Sequence, residues 1–81
     1  MGLENKNNEH EYKMIIYTKN GTTYEGLIYS TISDTKLLTK EIVTKHLHKD
    51  WCCMNDSYFN DNGVITVRTS DIEAIKIIFL K

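Results

Sequence analysis

The sequence lacks an excess of positive charge. Ten Lys and Arg residues stand against eleven Asp and Glu residues, the formal net charge is −1, and Arg68 is the single arginine. Proteins that bind duplex or generic RNA usually carry a net basic field. The composition therefore argues against general nucleic-acid binding, while leaving room for a local basic strip.

Long apolar runs and a cysteine framework are also missing. Residues Met1 to Glu11 are polar, so they contain no apolar core of a signal peptide, and no later segment approaches a membrane span. The two cysteines, Cys52 and Cys53, are adjacent and form no disulfide framework, which agrees with a reducing compartment. We predict a cytoplasmic protein with no membrane partner.

No complete catalytic signature occurs. The serines lie in no nucleophile elbow, and the chain has neither a Gly-rich phosphate loop nor a His-Glu-x-x-His motif. A cysteine with His46 or His48 as base would form a catalytic pair only if the fold brought them together. We predict a protein that is not an enzyme, with no catalytic residues and no cofactor.

The chain has 81 residues, enough for one small domain. Such a domain buries only about 60% of the surface that its unfolded chain exposes, so function is expected at a surface, a loop or a subunit interface. Homo-oligomerisation would add stability. The polar residues 1–10 predict a disordered tail, because they cannot offset their ordering entropy by burial. Residues 11–81 form the predicted domain.

The sequence does contain a strong hairpin signal between Tyr12 and Tyr29. Two runs of β-branched and aromatic residues meet at Asn20-Gly21, the pair preferred in two-residue type I′ turns. This turn predicts that residues whose numbers sum to 41 face each other. The predicted pairs are Tyr17 with Tyr24, Ile15 with Gly26, and Met14 with Leu27.

Alternation along the hairpin places apolar residues on both faces. A sheet of that kind is buried on both sides or closes on itself, and Gly26 favours a bend. With further strands at Val64 to Arg68 and Ala74 to Leu80, the pattern predicts a mainly β fold, a small five-stranded, strongly bent antiparallel barrel. The predicted faces are Met14, Ile16 and Leu27 on one side and Ile15, Tyr17, Tyr24 and Ile28 on the other.

Residues 34–49 fit either a strand or a short helix. Ser33 or Asp34 would cap a helix, and Leu38 and Ile42 have helical spacing. At about 100° per residue, however, the apolar residues scatter around the whole circumference, and the repeated threonines favour extended structure. We favour a strand and keep the helix as the alternative. Residues 50–63 predict a long irregular connection.

Two segments resemble the motifs of Sm-like proteins, a family of small barrels related to SH3-like folds. Ile16 to Gly21, followed by Tyr24 to Ile28, resembles the first Sm motif, in which a Lys-Asn-Gly turn precedes an aromatic residue, a glycine and a large aliphatic residue. Val67 to Ile72 resembles the second motif, with Ile75 after it. The resemblance implies a bent five-stranded barrel that forms a ring through strand pairing between subunits.

The same resemblance implies less about RNA. Ile32 stands where the family has an Asp, no Asn follows it between Thr31 and Lys40, and Thr69 replaces the glycine of the second motif. Arg68 is the residue retained from the family's RNA pocket. The resemblance therefore implies the scaffold more than it implies uridine binding.

An aromatic and sulfur-containing cluster in the long connection is the first candidate site. Trp and Tyr are frequent in interface hot spots, and Met adapts to irregular surfaces. Alternatively, the same residues fold back as a lid over one end of the barrel. The cluster consists of Trp51, Met54, Tyr58 and Phe59.

A basic strip is the second candidate. Beside an aromatic residue, lysines can follow a nucleic-acid strand through phosphate contacts while the bases stack. Glu41 and Asp50 dilute this charge, so a solvated surface is the simpler interpretation. The strip consists of Lys36, Lys40, Lys45 and Lys49, and Arg68 is the arginine that would act with it.

A metal site is the weakest candidate. His46, His48 and Cys52 would approach tetrahedral zinc geometry if His46 and His48 shared one face of a strand. Adjacent cysteines rarely both bind one ion, and the spacing matches no zinc-finger pattern. We therefore predict no metal, with surface histidines and small buried cysteines instead. A vicinal disulfide between Cys52 and Cys53 would be strained.

These observations predict a stoichiometric adaptor or inhibitor of a macromolecular partner, most simply a protein. It would act through the aromatic cluster and the sheet edges, as many very small proteins of mobile elements do. The alternative is an Sm-like RNA or nucleotide binder that uses Arg68, the lysines and aromatic residues at a subunit interface.

Overall fold

Five antiparallel strands and one helix make up the part of the chain that the computed structural model describes, residues 9–45, 47–56 and 63–81. The prediction of a mainly β domain with five antiparallel strands is confirmed. The elements are β1 (His10–Thr18), β2 (Thr23–Ser30), α1 (Thr35–Lys45), β3 (Trp51–Asp56), β4 (Val64–Arg68), a 3-10 turn (Thr69–Asp71) and β5 (Ile72–Phe79).

The strands lie side by side in the order β4-β3-β2-β1-β5. Within the described residues β4 and β5 therefore have one neighbour each, and the sheet has two free edges. Strand β1 begins at His10, inside the segment predicted as a tail, whereas residues 1–8 lie outside the description.

The turn between β1 and β2 contains three residues, Lys19, Asn20 and Gly21, so the predicted two-residue turn is wrong. The N–H of Gly21 donates to the carbonyl of Thr18 (3.1 Å), and the N–H of Thr18 donates to the carbonyl of Thr22 (2.9 Å). Gly21 has a φ of 91°, which glycine adopts without the clash of a Cβ. Three-residue loops commonly end in such a residue.

The extra turn residue shifts the hairpin by one position, so partner numbers sum to 40. Because a one-residue shift moves side chains to the opposite face, Tyr24 and Ile28 lie on the face of Met14, and Leu27 lies on the opposite face. The predicted division into faces is wrong for these three residues. The observed pairs are Tyr17 with Thr23, Ile15 with Glu25, and Met14 with Gly26.

The middle segment is a helix, so the preference for a strand is wrong. Asp34 caps α1, because its carboxylate accepts the N–H of Lys36 at 3.0 Å. Two of its threonines bond back into the helix: the hydroxyls of Thr39 and Thr44 donate to the carbonyls of Thr35 and Lys40, each at 2.8 Å. The helical projection of residues 34–49 showed no apolar stripe because some of the apolar residues are exposed. Leu38 and Ile42 are buried, while Leu37 and Val43 face solvent.

The third strand comes from a segment that was predicted to be irregular. Trp51–Asp56 forms β3 and pairs with β4 from Trp51 opposite Arg68 to Asn55 opposite Val64. Cys52 and Met54 point inwards and are buried, whereas Trp51 and Cys53 are exposed. This alternation is the ordinary period of a half-buried strand.

The core lies between the helix and one face of the sheet. Tyr12 is completely buried at its centre, and its hydroxyl donates to the carbonyl of Ile32 in the β2–α1 connection. In the described ranges, no helix is both long enough and apolar enough to cross a membrane. The buried apolar side chains are Tyr12, Met14, Ile16, Leu38, Ile42, Cys52, Met54 and Val67.

Candidate functional site

An exposed Trp-Arg pair stands on the outer face of β3 and β4. Trp51 and Arg68 are directly opposite each other in the antiparallel ladder. The guanidinium carbon of Arg68 lies 4.7 Å from the centroid of the Trp51 ring, within cation–π range. Trp51 remains 48% exposed, so the stacked pair presents both an aromatic surface and a positive charge to solvent.

Trp51 and Arg68 line a polar hollow of about 350 Å³. The β1–β2 turn forms one side of the hollow, and strands β3 and β4 form the other. Its aromatic residues are Trp51 and Tyr24, and its charged residues are Arg68, Lys19 and Asp71. The remaining lining residues are Thr18, Asn20, Thr66 and Val67.

The 3-10 turn holds the two sides of the hollow together. The N–H of Lys19, in the β1–β2 turn, donates to the carbonyl of Asp71 at 2.9 Å. At the other end, the N–H of Thr69 donates to the carbonyl of Asp50 at 2.9 Å, and the Thr69 hydroxyl donates to the carbonyl of Lys49 at 2.6 Å. The hollow is therefore built on hydrogen-bonded backbone and is preorganised.

Arg68 forms no ion pair with any residue that the structure describes. The salt bridges of the described residues lie elsewhere: Lys13 with Glu25, Lys45 with Glu41, and Lys81 with Glu11. A guanidinium that stacks through its plane keeps its N–H edge for hydrogen bonds, and this edge matches a carboxylate or phosphate in a bidentate geometry. Arg68 can therefore donate hydrogen bonds to an anion in the hollow.

The predicted aromatic cluster is only partly at the surface. Trp51 is exposed, but Met54 is only 4% exposed and packs in the core, so its side chain contributes nothing to a contact surface. Tyr58 and Phe59 lie outside the described residues.

The predicted basic strip does not surround Arg68. Lys36, Lys40 and Lys45 are exposed on α1, and Lys45 Nζ lies 2.8 Å from Glu41 Oε2. None of the three lines the hollow that contains Arg68. The lysine that does so is Lys19, which sequence reasoning assigned only to the hairpin turn. Nothing in its local sequence predicts this position.

Among the described residues, the candidate metal ligands are not gathered around a common point. Cys52 faces the core, while Cys53 is exposed on the opposite side of β3. Burial, followed by the charge of Cys53, raises the pKa of the Cys52 thiol, which disfavours a thiolate ligand. His48 is exposed, and His46 lies outside the description. In ranges 9–45, 47–56 and 63–81, no three His, Cys, Asp or Glu residues are grouped to hold a metal.

An apolar cavity of about 440 Å³ opens between α1, β2 and β3. Among the residues that the structure describes, strands β2 and β3 pair at Gly26 with Asp56 and at Leu27 with Asn55 and nowhere else. The described sheet therefore leaves the core uncovered beyond these pairs. No sequence pattern predicts this cavity, because it depends on where two strands separate. Its apolar lining includes Met14, Ile28, Leu38, Ile42, Met54 and Val64.

Comparisons with models of known protein families, with curated proteins and with solved structures found no match. The functional argument therefore depends on the geometry of the Trp51–Arg68 hollow.

Proposed function

We propose that this chain is a small protein-binding domain that acts stoichiometrically, as an adaptor or inhibitor, through a surface centred on Trp51 and Arg68. The observation that carries the proposal is the exposed stack of these two side chains. Trp and Arg are the residue types most enriched in interface hot spots. A large exposed indole whose position is already fixed loses little conformational entropy when it binds.

The scaffold that we propose for this surface is a strongly bent, incompletely closed barrel. Strands β4 and β5 lie at opposite edges of the sheet, yet only Thr69–Asp71 connect them. A flat sheet of this order would separate its outer strands by about 19 Å, at roughly 4.8 Å per strand spacing. Three residues in a 3-10 turn, which rises only about 2 Å per residue, cannot span that distance. Bending the edges towards each other resolves the conflict.

The experiment compares capture of a partner by the tagged full chain and by two alanine variants. Trp51→Ala removes the proposed anchor. Leu37→Ala is the matched control, because Leu37 is 54% exposed on α1 and away from the hollow. We expect nuclease-treated extracts to yield a protein bound in about equimolar amount, lost with Trp51→Ala and kept with Leu37→Ala.

Two further measurements accompany this capture. Trp51→Ala should still unfold cooperatively, at a temperature only a few degrees below that of the parent chain, which separates lost binding from lost folding. Light scattering measures the predicted self-association and shows whether it depends on Trp51. Equal capture by both alanine variants would contradict the proposed surface.

The hollow also supports a second candidate function, binding of RNA or a nucleotide. Trp51 and Tyr24 offer aromatic surfaces, and Arg68 and Lys19 offer phosphate contacts within the same hollow. Binding that weakens steeply with salt and is lost with Arg68→Ala would favour this function over protein binding. No retention of the chain on RNA or nucleotides at low salt would exclude it.

A further inference from the structure

We infer that the partner adds an extended segment to the free edge of β4, and that an acidic side chain in this segment pairs with Arg68. The inference rests on the proposed protein-binding function and specifies its partner as a β-strand that carries a carboxylate. Three features of the β4 edge lead to it.

The first feature is the direction of the backbone groups of β4. The N–H of Thr69 donates to the carbonyl of Asp50, and hydrogen-bonded pairs alternate along an antiparallel ladder. Continued into the regular β3–β4 pairing, this alternation turns the N–H and C=O groups of Val67 and Ile65 towards β3. The same groups of Thr66 and Arg68 then point away from the sheet, where a further strand would bind.

The second feature is the lack of protection on this edge. Edge strands that avoid pairing usually carry charges, proline or a bulge. From Val64 to Val67, β4 carries no charge and no proline, and its register with β3 is regular. The opposite edge strand, β5, carries exposed Glu73 and Lys76, and its pairing with β1 shifts register near Thr18. Strand addition therefore fits β4 better than β5.

The third feature is the charge at the end of β4. Arg68 has no carboxylate partner among the described residues, and Trp51 holds it from the β3 side. Directly opposite residues on neighbouring strands have Cβ atoms about 5 Å apart. An Asp or Glu opposite Arg68 in an added strand would thus reach its guanidinium, giving a charge-assisted hydrogen bond.

The test uses synthetic peptides of alternating Thr and Val around one central residue, which is Glu in one peptide and Lys in the other. Binding to the full chain is measured by calorimetry and by NMR shifts of the β4 amides. We expect the Glu peptide to bind at least about tenfold more tightly than the Lys peptide, since a hydrogen bond to a charged group is worth this much. Arg68→Glu should reverse the preference.

Thr66→Pro tests the backbone part of the proposal. Proline removes the N–H of Thr66, which points away from β3, so the β3–β4 ladder keeps its hydrogen bonds. We expect Thr66→Pro not to bind the Glu peptide. Thr66→Val retains the N–H and should bind this peptide as the parent chain does. If Thr66→Pro does not fold, the Arg68→Glu reversal still decides the proposal.

Several outcomes would overturn the inference. Failure of both peptides to bind, equal affinity for the two, or undiminished binding by folded Thr66→Pro would each do so. The chain could instead dimerise through this edge. Dimerisation that is abolished by Thr66→Pro and is not inhibited by the Glu peptide would assign the edge to a second copy of the chain. The proposed function is judged separately from strand addition. If Thr66→Pro still captures the partner while Trp51→Ala does not, the proposed function stands and only strand addition is wrong.

Discussion

The guanidinium of Arg68 stacks on the ring of Trp51, with 4.7 Å between its carbon and the ring centroid. The two residues are 17 positions apart in the sequence and are joined by the β3–β4 pairing that places them opposite each other. Their contact turns two separate surface side chains into one rigid binding element.

We predict a measurable coupling between Trp51 and Arg68. In urea unfolding, the double-mutant cycle of Trp51→Ala and Arg68→Ala should give a coupling free energy of about 0.5–1 kcal/mol, as for other exposed cation–π pairs. Each single variant should cost little stability because both side chains are exposed. A cycle with no coupling would show that the stack does not persist in solution.

The helix offers a test of burial with neighbouring residues. Leu38→Ala should lower the free energy of unfolding by about 2–5 kcal/mol, since Leu38 is buried against the core. Leu37→Ala should change it by less than about 0.5 kcal/mol, because Leu37 faces solvent. Similar losses for the two variants, measured by denaturant unfolding, would contradict the orientation of α1.

The two cysteines should differ in reactivity under native conditions. Cys53 is exposed, whereas Cys52 is buried and burial raises the pKa of its thiol. Since the thiolate is the reactive form, a thiol reagent at neutral pH should modify Cys53 readily and Cys52 only after unfolding. Mass spectrometry of Cys52→Ser and Cys53→Ser proteins separates the two rates. Rapid native labelling of Cys53→Ser would place Cys52 at the surface.

Alkaline pH should destabilise the domain through Tyr12. Burial, followed by the charge of Asp34, raises the pKa of the Tyr12 phenol in the folded state. Because the folded pKa lies above the unfolded value of about 10, the contribution of Tyr12 to stability is fully present below pH ~10. It is lost as the pH rises from there through the folded pKa.

Tyr12→Phe provides the matching control. This variant loses the hydrogen bond to the carbonyl of Ile32, so its stability should be lower at neutral pH. Its stability should, however, fall less steeply above pH ~10 than that of the parent chain. Parallel pH profiles of the two proteins, measured by thermal unfolding, would show that Tyr12 does not control the alkaline transition.

The sequence predicted the presence of the hairpin but not its register. Asn20-Gly21 marks a turn in either arrangement, and the number of loop residues depends on the hydrogen bonds of Thr18 and on the contact of Lys19 with Asp71. That second contact comes from a distant part of the chain, so no local rule contains it.

The helix and the third strand were predicted less well, for different physical reasons. In α1, two apolar residues face solvent, which hides the buried pair Leu38 and Ile42 from a periodicity argument. In β3, the alternation of Cys52 and Met54 was present but short. This short alternation indicates a strand only together with the partner strand β4, which supplies the hydrogen bonds.

The candidate site shows the same limit. Trp51 and Arg68 were each recognised from the chemistry of their side chains, but they were assigned to two different functions. Their contact depends on the β3–β4 register. Lys19 lies in the same hollow because its N–H bonds to Asp71 in the 3-10 turn, which places the hairpin loop beside β4. Residue type can be predicted from the sequence, whereas this long-range placement cannot.

The position of β1 between β2 and β5 has a consequence for how the protein is made. Strand β1 pairs with β2 soon after both have been synthesised, but its other neighbour is β5, where Tyr12 lies opposite Phe79. Until the ribosome has released that segment, one edge of β1 is open and Tyr12, Met14 and Ile16 lack part of their cover. Such late, long-range pairing slows folding and leaves unpaired, aggregation-prone strand edges exposed. At the stage of the nascent hairpin, the exposed core side chains and the unpaired edge of β1 therefore favour aggregation.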